Sequence, residues 1–156
     1  MQMNTRLRLA LYQPDIAENT GAIMRLCACL GAGLDIIEPC GFVLDDRRLK
    51  RAAMDYLTHL DWTRHASWEE FLSTLGGRRI VLLTTKADMP YHRFAFRPDD
   101  ILLAGRESAG VPDDVHARAD ARILVPMQKG VRSLNVATAA SIVLGEALRQ
   151  TEGLAA

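Results

Sequence analysis

The stretch from Ile123 to Ala147, ILVPMQKGVRSLNVATAASIVLGEA, restricts the fold most. Ile123-Leu124-Val125, closed by Pro126, reads as the end of a buried strand. A polar turn, Gln128 to Arg132, follows. From Ser133-Leu134-Asn135 a helical pattern begins. Its Ala137, Ala140, Ile142, Val143, Leu144 and Ala147 are small or apolar, so this helix is expected to be packed on nearly every side. An amide such as Asn135 in that setting needs partners for two donors and an acceptor. The loop ahead of the helix should therefore be rigid, polar and closely approached. Taken alone, the stretch also fits an ordinary helix start with Ser133 as the cap.

A second loop of the same kind strengthens the first reading. Ile101-Leu102-Leu103-Ala104 runs into Gly105-Arg106-Glu107-Ser108-Ala109-Gly110-Val111-Pro112, where Gly105 and Gly110 allow positive φ or close backbone approach. A third loop, Thr84-Thr85-Lys86, follows Ile80-Val81-Leu82-Leu83. Three apolar strands ending in such loops suggest one crevice at the carboxyl ends of a parallel sheet.

The remaining segments fill in an alternating pattern. Leu7 to Tyr12 is the first strand and ends at Pro14. The helix after it is capped by Asn19 or Thr20 and buries Ile23, Leu26 and Leu30. Leu34 to Ile37 is a second strand, Asp45 to Met54 a charged helix, and His59 to Thr63 a modest strand. Ser67 caps a helix through Leu75, with Glu69 and Glu70 in its first turn. Arg79 to Thr84, Ile101 to Ala104 and Arg122 to Val125 are strands. Ala87 to Arg97 is a loop, Asp113 to Arg118 a short helix, and the last helix ends near Gln150. The implied fold is a three-layer α/β domain with a mainly parallel sheet, a single domain over 1–156 without repeat or linker.

With 19 basic and 19 acidic residues the chain has no net charge, so a global nucleic-acid signal is missing. The strongest local basic patch is Arg47, Arg48, Lys50 and Arg51, the candidate phosphate contact. Cys27, Cys29 and Cys40 lack metal-ligand spacing and fit reduced, buried thiols of a cytoplasmic protein. No apolar run is long enough for a membrane span. Walker, GxGxxG, GxSxG and HExxH patterns are missing, and His59, His65, His92 and His116 are scattered.

Asn19-Thr20-Gly21 with Arg25, then Gly105 to Pro112, then Val125-Pro126-Met127 with Ser133-Leu134-Asn135-Val136, occur in the order of three motifs. Together they resemble the SPOUT methyltransferase superfamily, and within it the small tRNA 2′-O-methyltransferases of the TrmL type. Ile37 to Phe42 and Asp45 to Leu49 are similar to that branch too. The resemblance implies a C-terminal deep trefoil knot, which ordinary chain connections would not suggest, and a homodimer with sites completed by the partner. It implies S-adenosylmethionine as cofactor, held by Leu83, Thr84, Gly105, Val125, Met127 and Ser133. The implied substrate is the ribose 2′-hydroxyl of the wobble nucleotide, cytidine or uridine 34, of tRNA, with leucine isoacceptors expected. Arg25, Glu107 and Asn135 form the implied catalytic set. An arginine rarely loses its proton, so Arg25 is read as positioning the hydroxyl and stabilising the developing alkoxide. Arg132 joins the basic cluster as an RNA contact. Arg106 and Ala109 depart from the pattern, since proline and arginine are common at those places. Two alternatives stay open: a 2′-O-methyltransferase of another tRNA or rRNA site, and a non-catalytic RNA-binding module.

Overall fold

The computed structural model describes residues 6–44, 47, 49, 51 and 54–155. Seven strands form one sheet in the order β3-β2-β1-β6-β4-β7-β5. They are β1 (Arg8–Tyr12), β2 (Gly33–Ile37), β3 (Trp62–His65), β4 (Ile80–Leu83), β5 (Met89–Pro90), β6 (Ile101–Ala104) and β7 (Ala121–Leu124). All six neighbouring pairs are parallel. β1, β2 and β6 are buried along their whole length. That is why they read as nearly continuous apolar runs instead of alternating ones.

Helices cover both faces. On one lie α1 (Ala17–Leu30) and α4 (Val136–Gln150). Their Ile23, Met24, Ala140, Val143 and Leu144 pack on Leu9, Leu11, Leu34, Val81 and Leu102. On the other lie α2 (Trp68–Ser73) and α3 (Asp113–Arg118). There Trp68, Phe71 and Val115 pack on Ala10, Tyr12, Leu82 and Leu103. The expected layered α/β architecture with a parallel sheet is thus found.

Several expected local features differ. α1 starts at Ala17 with Ile16 at the cap and no side-chain cap bond. Asn19 and Thr20 lie inside its first turn instead. Ser133 does not cap α4. Asn135 does, its carboxamide oxygen accepting from the amides of Ala137 and Thr138. Asn135 is exposed in this chain, and α4 leaves a partly open face that includes Ile142, so packing on every side does not occur. The 87–97 segment expected to be a loop contains β5 and a short 3-10 turn, Tyr91–Arg93. A 3-10 turn at Met54–His59 displaces the third strand, so that it begins at Trp62. Cys29 is exposed, unlike Cys27, whose thiol burial pushes up to about 12.

In the charged segment Arg47, Leu49 and Arg51 are helical. Leu49 is buried in the core while the two arginines face solvent. Asp45, Asp46, Arg48 and Lys50 lie outside the described residues.

Candidate active site

β6, β4 and β7 are neighbours in the sheet, so the loops leaving their carboxyl ends rise side by side. Between them is a cavity of about 560 Å³. This is the crevice expected from the three strand-to-loop transitions, within the usual volume range of small-molecule sites.

The two glycines of the β6 loop have separate tasks. Gly110 adopts φ +65°, which other residues rarely do. Gly105 needs space: a Cβ there would stand 2.8 Å from the backbone of Gly110. The turn closes through paired Arg106–Gly110 backbone hydrogen bonds of 3.0 and 2.9 Å. A side chain at position 105 would therefore spread this turn before it filled any ligand space.

The cavity wall gathers residues remote in sequence. Leu83 and Thr84 come from the end of β4, Gly105 and Glu107 from the β6 loop, Val125 and Met127 from after β7, and Ser133 and Asn135 from before α4. Every residue expected to hold the cofactor is on this wall. So are two of the three expected catalytic residues, Glu107 and Asn135.

A chain of polar groups ties the segment before α4, the start of α1 and the loops after β1 and β6 together. The Asn135 carboxamide donates to the Asn19 oxygen at 2.9 Å. Asn19 donates to Glu107 at 3.2 Å, and the backbone amide of Asp15 donates to the other Glu107 oxygen at 3.1 Å. The Ser108 hydroxyl donates to Asp15. β1 and β6 are paired neighbours, but β1 leads to α1 on one face and β6 leads to α3 on the other. The helices that follow them thus leave to opposite faces, as where an α/β sheet reverses its winding. The contact between Asp15 and Glu107 spans that divergence. Burial raises the Glu107 carboxyl above its ordinary range, and its side-chain contact with the Asp15 carboxyl adds to this, outweighing the lowering by the Asp15 backbone amide. Burial alone would raise Asp15 as well. Its hydrogen bonds with Glu107 and Ser108 outweigh that and hold it low. The pair is thus divided into a carboxyl that tends to keep its proton and one that gives its proton up.

Arg25 is not on this wall. It is exposed, its guanidinium 4.9 Å from the Tyr56 ring centroid. It follows Asn19 by six residues, roughly 9 Å along the helix axis. Arg47, Arg51 and Arg132 are exposed and also off the wall. Sequence reasoning missed three members of the site. Asp15 carries one signal: it follows the carboxyl end of β1, beside the loop of the paired strand β6. His116, dismissed as scattered, lines the cavity, and its Nε2 is buried without a partner. Arg106 lines it as well. Among the described residues no group of His, Cys, Asp and Glu could hold a metal ion, and no helix is long and apolar enough to cross a membrane.

Residues 6–145 match the model of the SpoU rRNA Methylase family. The chain belongs to this family. A relative from Beijerinckia indica subsp. indica, a tRNA (cytidine(34)-2′-O)-methyltransferase, is 60% identical over 149 residues, covering 94% of this chain and 93% of the relative. A solved structure described as giving insights into the 2-OH methylation of C/U34 on tRNA superposes with TM-score 0.90 at 41% identity. It covers 93% of this chain and 95% of that one. The SpoU methyltransferase AviRb from Streptomyces viridochromogenes, in complex with the cofactor AdoMet, gives TM-score 0.84 at 28% identity, over 96% of this chain and 62% of that one.

Proposed function

We propose that this chain transfers a methyl group from S-adenosylmethionine to the ribose 2′-hydroxyl of nucleotide 34, the wobble position, of tRNA. The observation that carries the reading is the cavity itself. Three loops converge there, and the Asn135–Asn19–Glu107 hydrogen-bond chain ties the β6 loop and the segment before α4 to the first turn of α1. The C34 activity of a relative at 60% identity selects among the RNA sites such a cavity could serve.

The wall fits the cofactor chemically. Leu83, Val125 and Met127 offer apolar surface, Gly105 offers backbone without a side chain, and Thr84 and Ser133 add hydroxyls. Adenine is readable by backbone N–H and C=O groups, which suits a wall with few polar side chains. When bound, the cofactor supplies an electrophilic methyl on a sulfonium.

The protein's part is then to align the attacking hydroxyl and to receive developing charge. Glu107 and Asn135 hold the loops in register. Arg25 orients the ribose and stabilises the alkoxide. Because Arg25 stands apart from the cavity of its own chain, this role calls for the homodimer that the family resemblance implies, each site completed by the partner. The trefoil knot at the C-terminal segment belongs to the same proposal, as do one catalytic domain over 1–156 and a cytoplasmic setting. Arg47, Arg48, Lys50, Arg51 and Arg132 are the proposed tRNA contacts. Leucine isoacceptors are the expected substrates.

Single-turnover methyl transfer with saturating tRNA tests this reading. Arg25→Ala should keep fold and cofactor binding yet lose about a hundredfold to a thousandfold in rate, as for one preorganised donor. Arg25→Lys should rescue poorly, because an ammonium lacks the planar fork. A near-normal rate in Arg25→Ala would remove Arg25 from the chemistry.

A further inference from the structure

The charged and titratable groups on the cavity wall are Lys86, Arg106, Glu107 and His116. Glu107 is occupied by the Asp15 amide and by Asn19, and burial favours its neutral form. The two cations therefore dominate the wall. Of these, Arg106 is the one held in place. Its guanidinium carbon lies 5.6 Å from the Tyr12 ring centroid, and Tyr12 is itself buried and packed edge-on against Trp68. Its Nε donates to the carbonyl of Gly110 at 3.1 Å. Ring and carbonyl together fix the orientation of the guanidinium plane. Its two terminal nitrogens have no hydrogen-bond or ion-pair partner among the described residues.

A guanidinium held at Nε, with its far edge open, presents parallel donors to an anion with two oxygens. We propose that Arg106 is an anion-binding residue of the cavity, gripping either a phosphate of the RNA beside the methylated ribose or the carboxylate of the cofactor. The proposal rests on the reading of the cavity as the cofactor and RNA site. Both sources offer the same paired-oxygen chemistry, and binding measurements separate them. The clamp is compatible with a site that must hold its geometry before the ligand arrives, since little side-chain freedom is lost on binding.

The test uses the full chain with Arg106→Gln, Arg106→Lys and Tyr12→Phe. Three probes are titrated: S-adenosylmethionine, 5′-methylthioadenosine (which lacks the amino-acid end) and tRNA over a range of salt. Loss of a charge-assisted contact should weaken the affected probe about tenfold or more in Arg106→Gln. Weaker S-adenosylmethionine binding with unchanged 5′-methylthioadenosine binding assigns the carboxylate. Weaker tRNA binding with a salt slope reduced by about one, and both nucleosides unchanged, assigns the phosphate. Arg106→Lys should recover only part of the affected binding, and Tyr12→Phe, which keeps the ring, should behave as wild type. Unchanged binding of all three probes in Arg106→Gln overturns the proposal. So does equal weakening of all three, which would mean that the loop had merely lost its shape. If the wild-type chain binds neither S-adenosylmethionine nor tRNA, the reading of the cavity fails and this proposal fails with it.

Discussion

The molecule contains two polar networks, built on opposite principles. One is enclosed beneath α2. Arg8 at the start of β1 donates to Asp35 on β2 at 2.8 Å and to Asp61 at 2.9 Å, and His65 on β3 reaches Asp35 at 2.8 Å. Arg8, Asp35 and His65 are 7%, 5% and 4% exposed. A Cβ on Gly33 would stand 2.3 Å from the Arg8 guanidinium, so only glycine fits beside it. The other network, Asn135–Asn19–Glu107–Asp15–Ser108, borders the cavity and is open to solvent at both ends. The first joins three adjacent strands, whereas the second joins loops that would otherwise diverge. A buried charge set fixes strand register with no room for a ligand. A chain of amides and carboxyls beside a cavity keeps groups that a ligand can engage.

The largest effect should come from the enclosed set. Asp35→Ala leaves a buried guanidinium with half its hydrogen bonds and a buried imidazole with none. Removing one partner of a buried pair typically costs about 3–5 kcal/mol, and urea unfolding should show a loss of that order. Replacing Arg8, Asp35 and His65 together by Met, Leu and Phe should cost far less than Asp35→Ala alone, because no buried charge is then stranded, Asp61 keeping access to water at 40% exposure. If the triple variant were the less stable of the two, the network would be a net source of stability and the contrast drawn here would fail.

A smaller effect separates the two tasks of Asn135. Its oxygen caps α4, and its amide nitrogen donates to Asn19. Asn135→Ala loses both and should lower stability by about 1 kcal/mol, the usual value of a cap. Asn135→Asp keeps an equally good cap but cannot donate to Asn19. Thermal unfolding of Asn135→Asp should match wild type while methyl transfer falls as it does in Asn135→Ala. Equal activity of Asn135→Asp and wild type would reduce the Asn19 link to incidental contact.

Legibility followed the range of the interactions. α3 was readable because Pro112 and the paired acids Asp113 and Asp114 mark a helix start within a few residues. Ser67 was readable because its hydroxyl accepts from Glu70 three residues on. The cavity was readable from three strand-to-loop transitions, since parallel strands send their carboxyl ends to the same side. The cap of α4 was misplaced at Ser133, because Asn135 satisfies the same local rule two residues on; the bond to Asn19, 116 residues away, accompanies Asn135. The bound of α1 was missed because Ile16 carries no cap signal. β5 was missed because two residues ending in proline carry no period. The Arg8–Asp35–His65 set gave no signal at all. Its members are 27 and 30 residues apart and meet only once β1, β2 and β3 align.

The subtlest expected effect concerns Glu107 and its dependence on pH. Its carboxyl is raised by burial and by Asp15, from an ordinary value of 4.5. Above 4.5 the unfolded chain has released this proton while the folded chain still holds it. Stability therefore falls as pH rises from 4.5 through the raised folded value, then levels off. Asp15, held below its ordinary 3.8, works the other way: its contribution is present above 3.8 and is lost as pH falls through the lowered folded value. The two windows do not overlap, so between pH 4.5 and 8 the stability difference between Glu107→Gln and wild type reports Glu107 and not Asp15. Glu107→Gln cannot titrate. Relative to wild type it should gain stability as pH rises through this range, whatever its offset at the acid end. A stability difference that stays constant, or that shifts in favour of wild type with rising pH, would show that Glu107 is no more retentive of its proton than a surface carboxylate. The cavity network would then differ from the enclosed one in exposure only, not in how it holds charge.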